Sequence, residues 1–107
     1  MTKPTLKVLD YEHYSWFLLQ EGEDLILDIH CGHSFISYGL TMKLNADEIA
    51  RFKQEGRSYL SKLAHEVHYS APIVNEKSPY KSRDISNDYR EIMTPVIVQW
   101  RKEQGLN

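Results

Sequence analysis

Apolar and polar residues alternate from Leu25 onward, which is the pattern of a β-strand with one face in the core. The residues on the apolar face are Leu25, Leu27, Ile29 and Cys31. The opposite face carries Ile26, Asp28 and His30. The pattern therefore predicts a strand whose first face is fully apolar and whose second face is mixed.

A second alternating run begins at Ser34, directly after Gly32-His33. A two-residue turn at Gly32-His33 would join the two runs as antiparallel strands and place Ile29 opposite Ile36. In that register the apolar side chains of both strands share one face, whereas a slip by one residue would separate them. We therefore predict a β-hairpin with its turn at Gly32-His33.

A preceding strand is predicted over residues 13–20, because a turn at Gly22-Glu23 would place Leu18 opposite Leu27 and extend the same apolar face. Residues 6–9 predict a further short strand. The first half of the chain is thus read as an antiparallel meander of three or four strands.

The period changes after Leu44. Asn45 is suited to be a helix N-cap, and Glu48 stands at the capping-box position three residues later. Apolar residues then recur at helical spacing at Ile49, Phe52, Tyr59, Leu60, Leu63, Ala64 and Val67. These positions predict one long amphipathic helix that ends near residues 68–70, with Gly56 in its apolar stripe, where it allows close approach to the sheet.

The last part of the chain combines an irregular connection, residues 71–84, with a second helical pattern. The apolar positions of that pattern are Ile85, Tyr89, Ile92, Met93, Val96 and Trp100. Pro95 interrupts it, either by starting a new helix after Thr94 or by kinking one helix. The predicted fold is a single α+β domain over residues 1–107 with two layers, in which the meander is followed by a long helix and a C-terminal helix interrupted near Pro95.

Composition, charge and cysteine content limit the classes of partner and the cellular compartment that we expect. With 41% apolar and 26% charged residues and a net charge of −2, the 107-residue chain resembles ordinary globular proteins, which argues against wholesale binding to nucleic acid or to an acidic membrane. The near-neutral total combines three lysines against eight acids in residues 1–50 with ten basic against seven acidic residues in 51–107. A lone Cys31 and a polar N-terminus favour a reduced, cytoplasmic protein.

The mixed sheet face supplies the candidate binding residues. Phe17, Leu19, Ile26 and Phe35 would form a contiguous apolar patch, which is either covered by another element or used for association. Asp28 and His30 lie beside this patch in the predicted strand, and Tyr80 is the aromatic residue of the connection. The candidate partner-binding residues are therefore Phe17, Leu19, Ile26, Asp28, His30, Phe35 and Tyr80.

Two other classes of function have sequence features of their own. Asp28, His30, Cys31 and His33 offer metal-binding or thiol chemistry within a few residues, although strand alternation sends Cys31 to the opposite face from Asp28 and His30. His65 and His68 lack the HExxH spacing of zinc proteases. Lys77, Lys81 and Arg83 around Tyr80 form a basic and aromatic segment that could contact nucleic acid.

No set of residues carries a catalytic signature, so we expect a non-enzymatic protein with no cofactor and no metal. The leading hypothesis is an immunity-like or antitoxin-like inhibitor, or an adaptor, that binds another and possibly basic protein through its acidic strand half. Pairing with a second copy of the chain is a further option. The alternatives are the metal- or thiol-dependent enzyme and the nucleic-acid-binding protein.

Overall fold

The computed structural model describes residues 6–12, 15–33, 36–70 and 77–105. Four strands form one antiparallel sheet in chain order: β1 (Leu6–Glu12), β2 (Trp16–Glu21), β3 (Asp24–His33) and β4 (Ile36–Lys43). Three α-helices follow, α1 (Ala46–Glu55), α2 (Arg57–Ser70) and α3 (Ser86–Glu103), with a short 3-10 turn at Lys81–Arg83 before the last. The predicted α+β class with an antiparallel meander is confirmed.

The register of the sheet agrees with the prediction on one side of β3 and differs on the other. Leu18 lies opposite Leu27, as predicted. On the other side Ile29 lies opposite Leu40 rather than Ile36, because β3 continues through Gly32 to His33 and His33 pairs with Ile36. The predicted turn at Gly32-His33 is therefore wrong. The strands are joined across residues 34–35, which lie outside the described residues.

The capping box at the start of α1 is confirmed. The Asn45 side chain accepts a hydrogen bond from the Glu48 amide at 2.8 Å, and the Glu48 carboxylate accepts one from the Asn45 amide at 2.9 Å. The single long helix is not confirmed, because Gly56 has a φ of +73° and separates α1 from α2. Its amide still donates to the Phe52 carbonyl at 2.7 Å, which closes the last turn of α1.

The last helix is continuous, so the alternative in which a new helix starts after Thr94 is wrong and the alternative of a single helix through Pro95 agrees with the structure. Pro95 lies inside α3, where its missing N–H leaves one bond of the helical ladder unmade. The hydroxyl of Thr94 donates to the Arg90 carbonyl at 2.8 Å in the preceding turn. Pro95 is itself exposed.

Helices cover both faces of the sheet, so the layers number three rather than the predicted two. Neighbouring sheet residues divide between two separate cores. The core under α1 and α2 includes Trp16, Leu18, Leu27, Ile29, Cys31, Leu40, Met42, Leu60, Leu63 and Val67. The core under α3 comprises Leu6, Val8, Leu19, Ile26 and Met93, with the half-buried Phe17, Tyr89, Val96, Ile97 and Trp100 packed against it.

Among the described residues, none of the helices is both long enough and apolar enough to cross a membrane.

Candidate functional site

The second face of the sheet, which supplied most of the candidate binding residues, is covered by α3. Leu19 and Ile26 have no exposed surface, and Phe17 is half-buried against the same core. The expectation of a bare apolar patch therefore does not hold for these residues, because the apolar stripe of α3 packs on the face that two-layer packing would have left open. Phe35 lies outside the described residues.

Asp28 and His30 lie on the α3 side of the sheet, as alternation predicted. His30 is exposed, whereas Asp28 is partly buried and accepts a hydrogen bond from the Thr41 hydroxyl at 2.8 Å. Burial raises the pKa of the Asp28 carboxyl, as does the nearby negative charge of Asp84, while the Thr41 bond and His30 lower it. The net direction is upward, so this carboxylate is less readily ionised than an exposed aspartate.

The residues of the thiol or metal alternative do not converge. Cys31 is fully buried in the core under α1 and α2, on the opposite face from Asp28 and His30. Within the described part of the chain there is no group of three or more His, Cys, Asp or Glu side chains arranged to hold a metal ion. The side chain of His33 is not part of that description. The described geometry thus separates the buried Cys31 from the Asp28 and His30 positions by the thickness of the sheet.

The basic and aromatic connection is anchored to the helices. The Arg83 guanidinium donates to both oxygens of Glu48, and the Tyr80 hydroxyl donates to Glu66 at 3.1 Å. Tyr80 also packs against the core under α1 and α2. Two of the groups that would contact a nucleic acid are therefore engaged within the fold, and Tyr80 is an anchor for the connection.

Several acidic residues of the first half of the sequence form ion pairs with basic residues of the second half, which offsets part of the charge imbalance between the two halves. The ion pairs that join an acid of residues 1–50 to a base of residues 51–107 are Asp10 and Glu12 with Arg57, Asp47 with Arg51, and Glu48 with Arg83. Asp24 pairs with Lys43 of the same half. The strand half therefore presents less net negative charge to a partner than its composition suggests.

The β4 edge of the sheet is covered by residues 83–86, which lead into α3. Both backbone polar groups of Thr41 in β4 are used there: its amide lies 3.2 Å from an Asp84 carboxylate oxygen, and its carbonyl accepts from the Ile85 amide at 2.7 Å. Arg83 donates to the Lys43 carbonyl at 2.8 Å further along the strand. A partner strand cannot pair with this part of β4 without displacing residues 83–86.

The other edge is β1, and only its far end is occupied by a described side chain. Arg57 donates to the Tyr11 carbonyl at 2.6 Å. The register against β2 shifts between Val8 and Asp10, so Leu9 lies at a β-bulge, where its side chain is 42% exposed. Within the described ranges, residues 6–8 have no strand on their outer side.

A groove of about 530 Å³ runs between this stretch of β1 and α3. We call it the β1–α3 groove, and its lining residues are Leu6, Lys7, Val8, Pro95, Val96, Gln99, Trp100 and Glu103. Trp100 is fixed by edge-to-face contacts with Tyr11 and Phe17, at ring centroid distances of 5.0 and 6.0 Å. The groove is thus lined largely by apolar side chains, including the Trp100 indole, and the exposed Lys7 and Glu103 stand at its edge.

Sequence reasoning missed this groove, although it found some of its elements. The sequence predicts a short strand over residues 6–9, and it places Val96 and Trp100 on one apolar helix face. The sequence does not predict that this helix face lies beside β1, because that placement depends on α3 packing on the second face of the sheet. Among the candidate residues, Phe17 contacts the groove-lining Trp100, and Leu19 lies opposite the groove-lining Val8.

No model of a known protein family matches the chain, and no match was found among curated proteins or among solved structures.

Proposed function

We propose that this protein acts by binding another protein, as an inhibitor or adaptor, and that it takes an extended segment of its partner into the β1–α3 groove. The observation that carries the proposal is the position of an open apolar groove directly beside residues 6–8 of β1, which have no strand on their outer side among the described residues. A strand edge offers backbone hydrogen bonds, and an adjacent groove offers sites for alternate side chains. Together they make up the β-augmentation mode of peptide recognition.

The contrast between the two sheet edges supports the choice of β1. On β4, residues 83–86 occupy the backbone groups that a partner strand would need. On β1, Arg57 occupies Tyr11, and the bulge at Leu9 limits the flat part of the edge to residues 6–8. A short edge with an exposed lysine disfavours pairing between two copies of the chain, because Lys7 would face a like charge.

The charges at the rim define the partner segment further. Lys7 is exposed on the strand side and Glu103 on the helix side of the groove. A complementary segment would carry aliphatic residues at alternate positions, an acidic residue that reaches Lys7 and a basic residue that reaches Glu103. The lone thiol of Cys31 fits a reducing compartment, so the proposed setting of this interaction is the cytoplasm.

Selection from a phage library of short random peptides tests the proposal without knowledge of the natural partner. The wild-type protein is the bait, and the Gln99→Trp variant, in which an indole fills the groove, is the counter-selection bait. We expect enriched peptides with alternating aliphatic residues whose binding perturbs the NMR signals of residues 6–8 and 96–103. Peptides that bind both baits equally, or a selection without enrichment, would contradict the proposal.

A further inference from the structure

The side chain of Arg57, the first residue of α2, reaches the β1 edge at Tyr11. Its guanidinium donates to the Tyr11 carbonyl at 2.6 Å and to a Glu12 carboxylate oxygen at 3.0 Å, and it forms an ion pair with Asp10 at 3.5 Å. The guanidinium also lies over the Trp16 ring, 5.7 Å from its centroid. Contacts with β1 and with an aromatic ring of β2 therefore fix this arginine at the edge of the sheet.

Both polar backbone groups of Tyr11 are bonded to side chains. The Tyr11 amide donates to the Asp10 carboxylate at 2.8 Å, and the Tyr11 carbonyl accepts from Arg57. Asp10 is also an ion-pair partner of Arg57, so these side chains and Glu12 form one connected group, which we call the Arg57 network. A strand that adds to a sheet edge needs free backbone donors and acceptors, and Tyr11 offers neither while the network is in place.

The β-bulge at Leu9 places Lys7 on the same face of the sheet as the two acids of the network. Lys7, Asp10 and Glu12 lie opposite alternate residues of β2, so all three share one face. Pairing of two copies through residues 6–8 alone would set Lys7 against Lys7. An antiparallel pairing that extends past the bulge would instead set Lys7 of one copy against Asp10 or Glu12 of the other. The longer register thus brings opposite charges together, which favours it over the shorter one.

We propose that the Arg57 network prevents two copies of this chain from pairing through their β1 edges, and that its removal opens this edge to a second copy. The two β1 strands would then lie antiparallel about a two-fold axis near Leu9 and join two four-stranded sheets into one. In each copy, Lys7 of the other copy would replace Arg57 as the cation beside the two acids. The side chain of Leu9, which is 42% exposed, would lie at the centre of the interface.

The two edges of the sheet limit this association to a dimer. Residues 83–86 cover β4, so each copy has its β1 edge alone to offer to a second sheet. This pairing is independent of the peptide-binding function, because the network and the edge are features of the chain itself. A second copy on β1 would, however, occupy the edge that a partner segment needs. The network therefore keeps the wild-type chain monomeric and leaves residues 6–8 accessible.

Sedimentation velocity of Arg57→Ala over a range of protein concentrations tests the proposal. We expect the wild type to stay at the monomer mass of 12.6 kDa and the variant to approach twice that mass, reversibly, as its concentration rises. Arg51→Ala is the matched control, because Arg51 forms an exposed ion pair within α1, and it should remain a monomer. Adding Lys7→Glu to Arg57→Ala should restore the monomer, since Glu would then face the acids of the other copy.

A second variant tests the same edge if Arg57→Ala does not fold. Arg57→Met removes every donor of the side chain but keeps an unbranched stem that can pack on the Trp16 ring. Hydrogen exchange locates the contact, because amides of residues 6–12 should exchange at least about tenfold more slowly in the dimer than in the wild-type monomer. Monomeric arginine variants, a wild type that already dimerises, association beyond a dimer, or a dimer that persists with Lys7→Glu overturns the proposal.

Discussion

Arg83 and Glu48 form a two-point ion pair, with guanidinium nitrogens 2.6 and 2.9 Å from the two carboxylate oxygens. The same arginine donates to the Lys43 carbonyl at the end of β4, and the same glutamate completes the capping box of α1. One pair of side chains therefore connects the sheet, the start of the first helix and the connection that leads to α3.

Removing the charge of Glu48 tests the strength of this connection. Glu48→Gln keeps an acceptor for the Asn45 amide but weakens the bonds from Arg83. We expect a loss of about 1–2 kcal/mol in the free energy of unfolding in urea, since hydrogen bonds to charged groups contribute about 1.5–3 kcal/mol before solvent screening. Asp47→Asn, which breaks an exposed pair with Arg51, should cost less than about 0.5 kcal/mol.

The effect of Glu48→Gln should also depend on pH. Burial raises the pKa of Glu48, but the hydrogen bonds from Arg83 and Asn45 and the charge of Arg83 outweigh it, so the net pKa is lowered. A lowered folded pKa contributes stability above the unfolded value, about 4.3, which is lost as the pH falls through the folded value. The unfolding free energies of wild type and variant should therefore differ at pH 7 and converge in acid. A constant difference would contradict the assignment.

Gly56→Ala distinguishes the broken helix from a continuous one by the sign of its effect. With φ at +73° and ψ at −153°, Gly56 lies in a region that other residues avoid, at a cost of about 1–3 kcal/mol. An alanine here should destabilise the protein by about that amount in urea unfolding, although nothing lies within 4 Å of the added Cβ. Stabilisation by about 1 kcal/mol would instead indicate a continuous helix. Gln54→Ala is the control within α1.

Ile26→Ala tests whether the second sheet face is a core. Ile26 is fully buried under α3, and truncation of such a residue costs about 2–5 kcal/mol in the free energy of unfolding. Ile92→Ala is a matched control, because Ile92 is 49% exposed on α3 and its truncation should change stability by about 0.5 kcal/mol or less. Equal small effects at both positions would mean that α3 does not cover the sheet.

Alternation of residues correctly predicted the shared face of Leu18, Leu27, Ile29 and Leu40 but not the full register. Shifting β4 against β3 by an even number of residues keeps every side chain on its face, so Ile36 and Leu40 are equally acceptable partners for Ile29 by pattern. Only the position of the turn distinguishes these two registers. The sequence favours a turn at Gly32-His33, whereas in the structure both residues belong to β3. The capping box, by contrast, involves Asn45 and Glu48 in one local segment, which is why the sequence predicted it.

The candidate site was harder to predict, since it depends on contacts between distant segments. Arg57 pairs with Asp10 and Glu12 across more than forty residues, so counting charges in each half of the chain could not reveal which charges remain available to a partner. The apolar stripe of α3 was visible, yet its period does not indicate which face of the sheet it covers. That choice buries Leu19 and Ile26 and creates the β1–α3 groove.

The accessibility of the Cys31 thiol distinguishes the proposed binding function from the alternative of a thiol-dependent enzyme. Cys31 is fully buried under α1 and α2, so a thiol reagent such as DTNB should react with the native protein only as fast as the structure opens, and at once in denaturing urea. Rapid stoichiometric labelling of the native protein would show that the thiol is exposed and would favour the enzyme alternative.

The most direct test of the account compares two tryptophan variants of neighbouring residues on α3. Gln99 lines the β1–α3 groove, whereas Val98 is 46% exposed and does not. Isothermal titration with a peptide selected on the wild-type protein should give at least about tenfold weaker binding for Gln99→Trp, a loss of about 1.4 kcal/mol. Val98→Trp should bind as the wild type does. Equal affinity of the two variants would contradict binding in the groove.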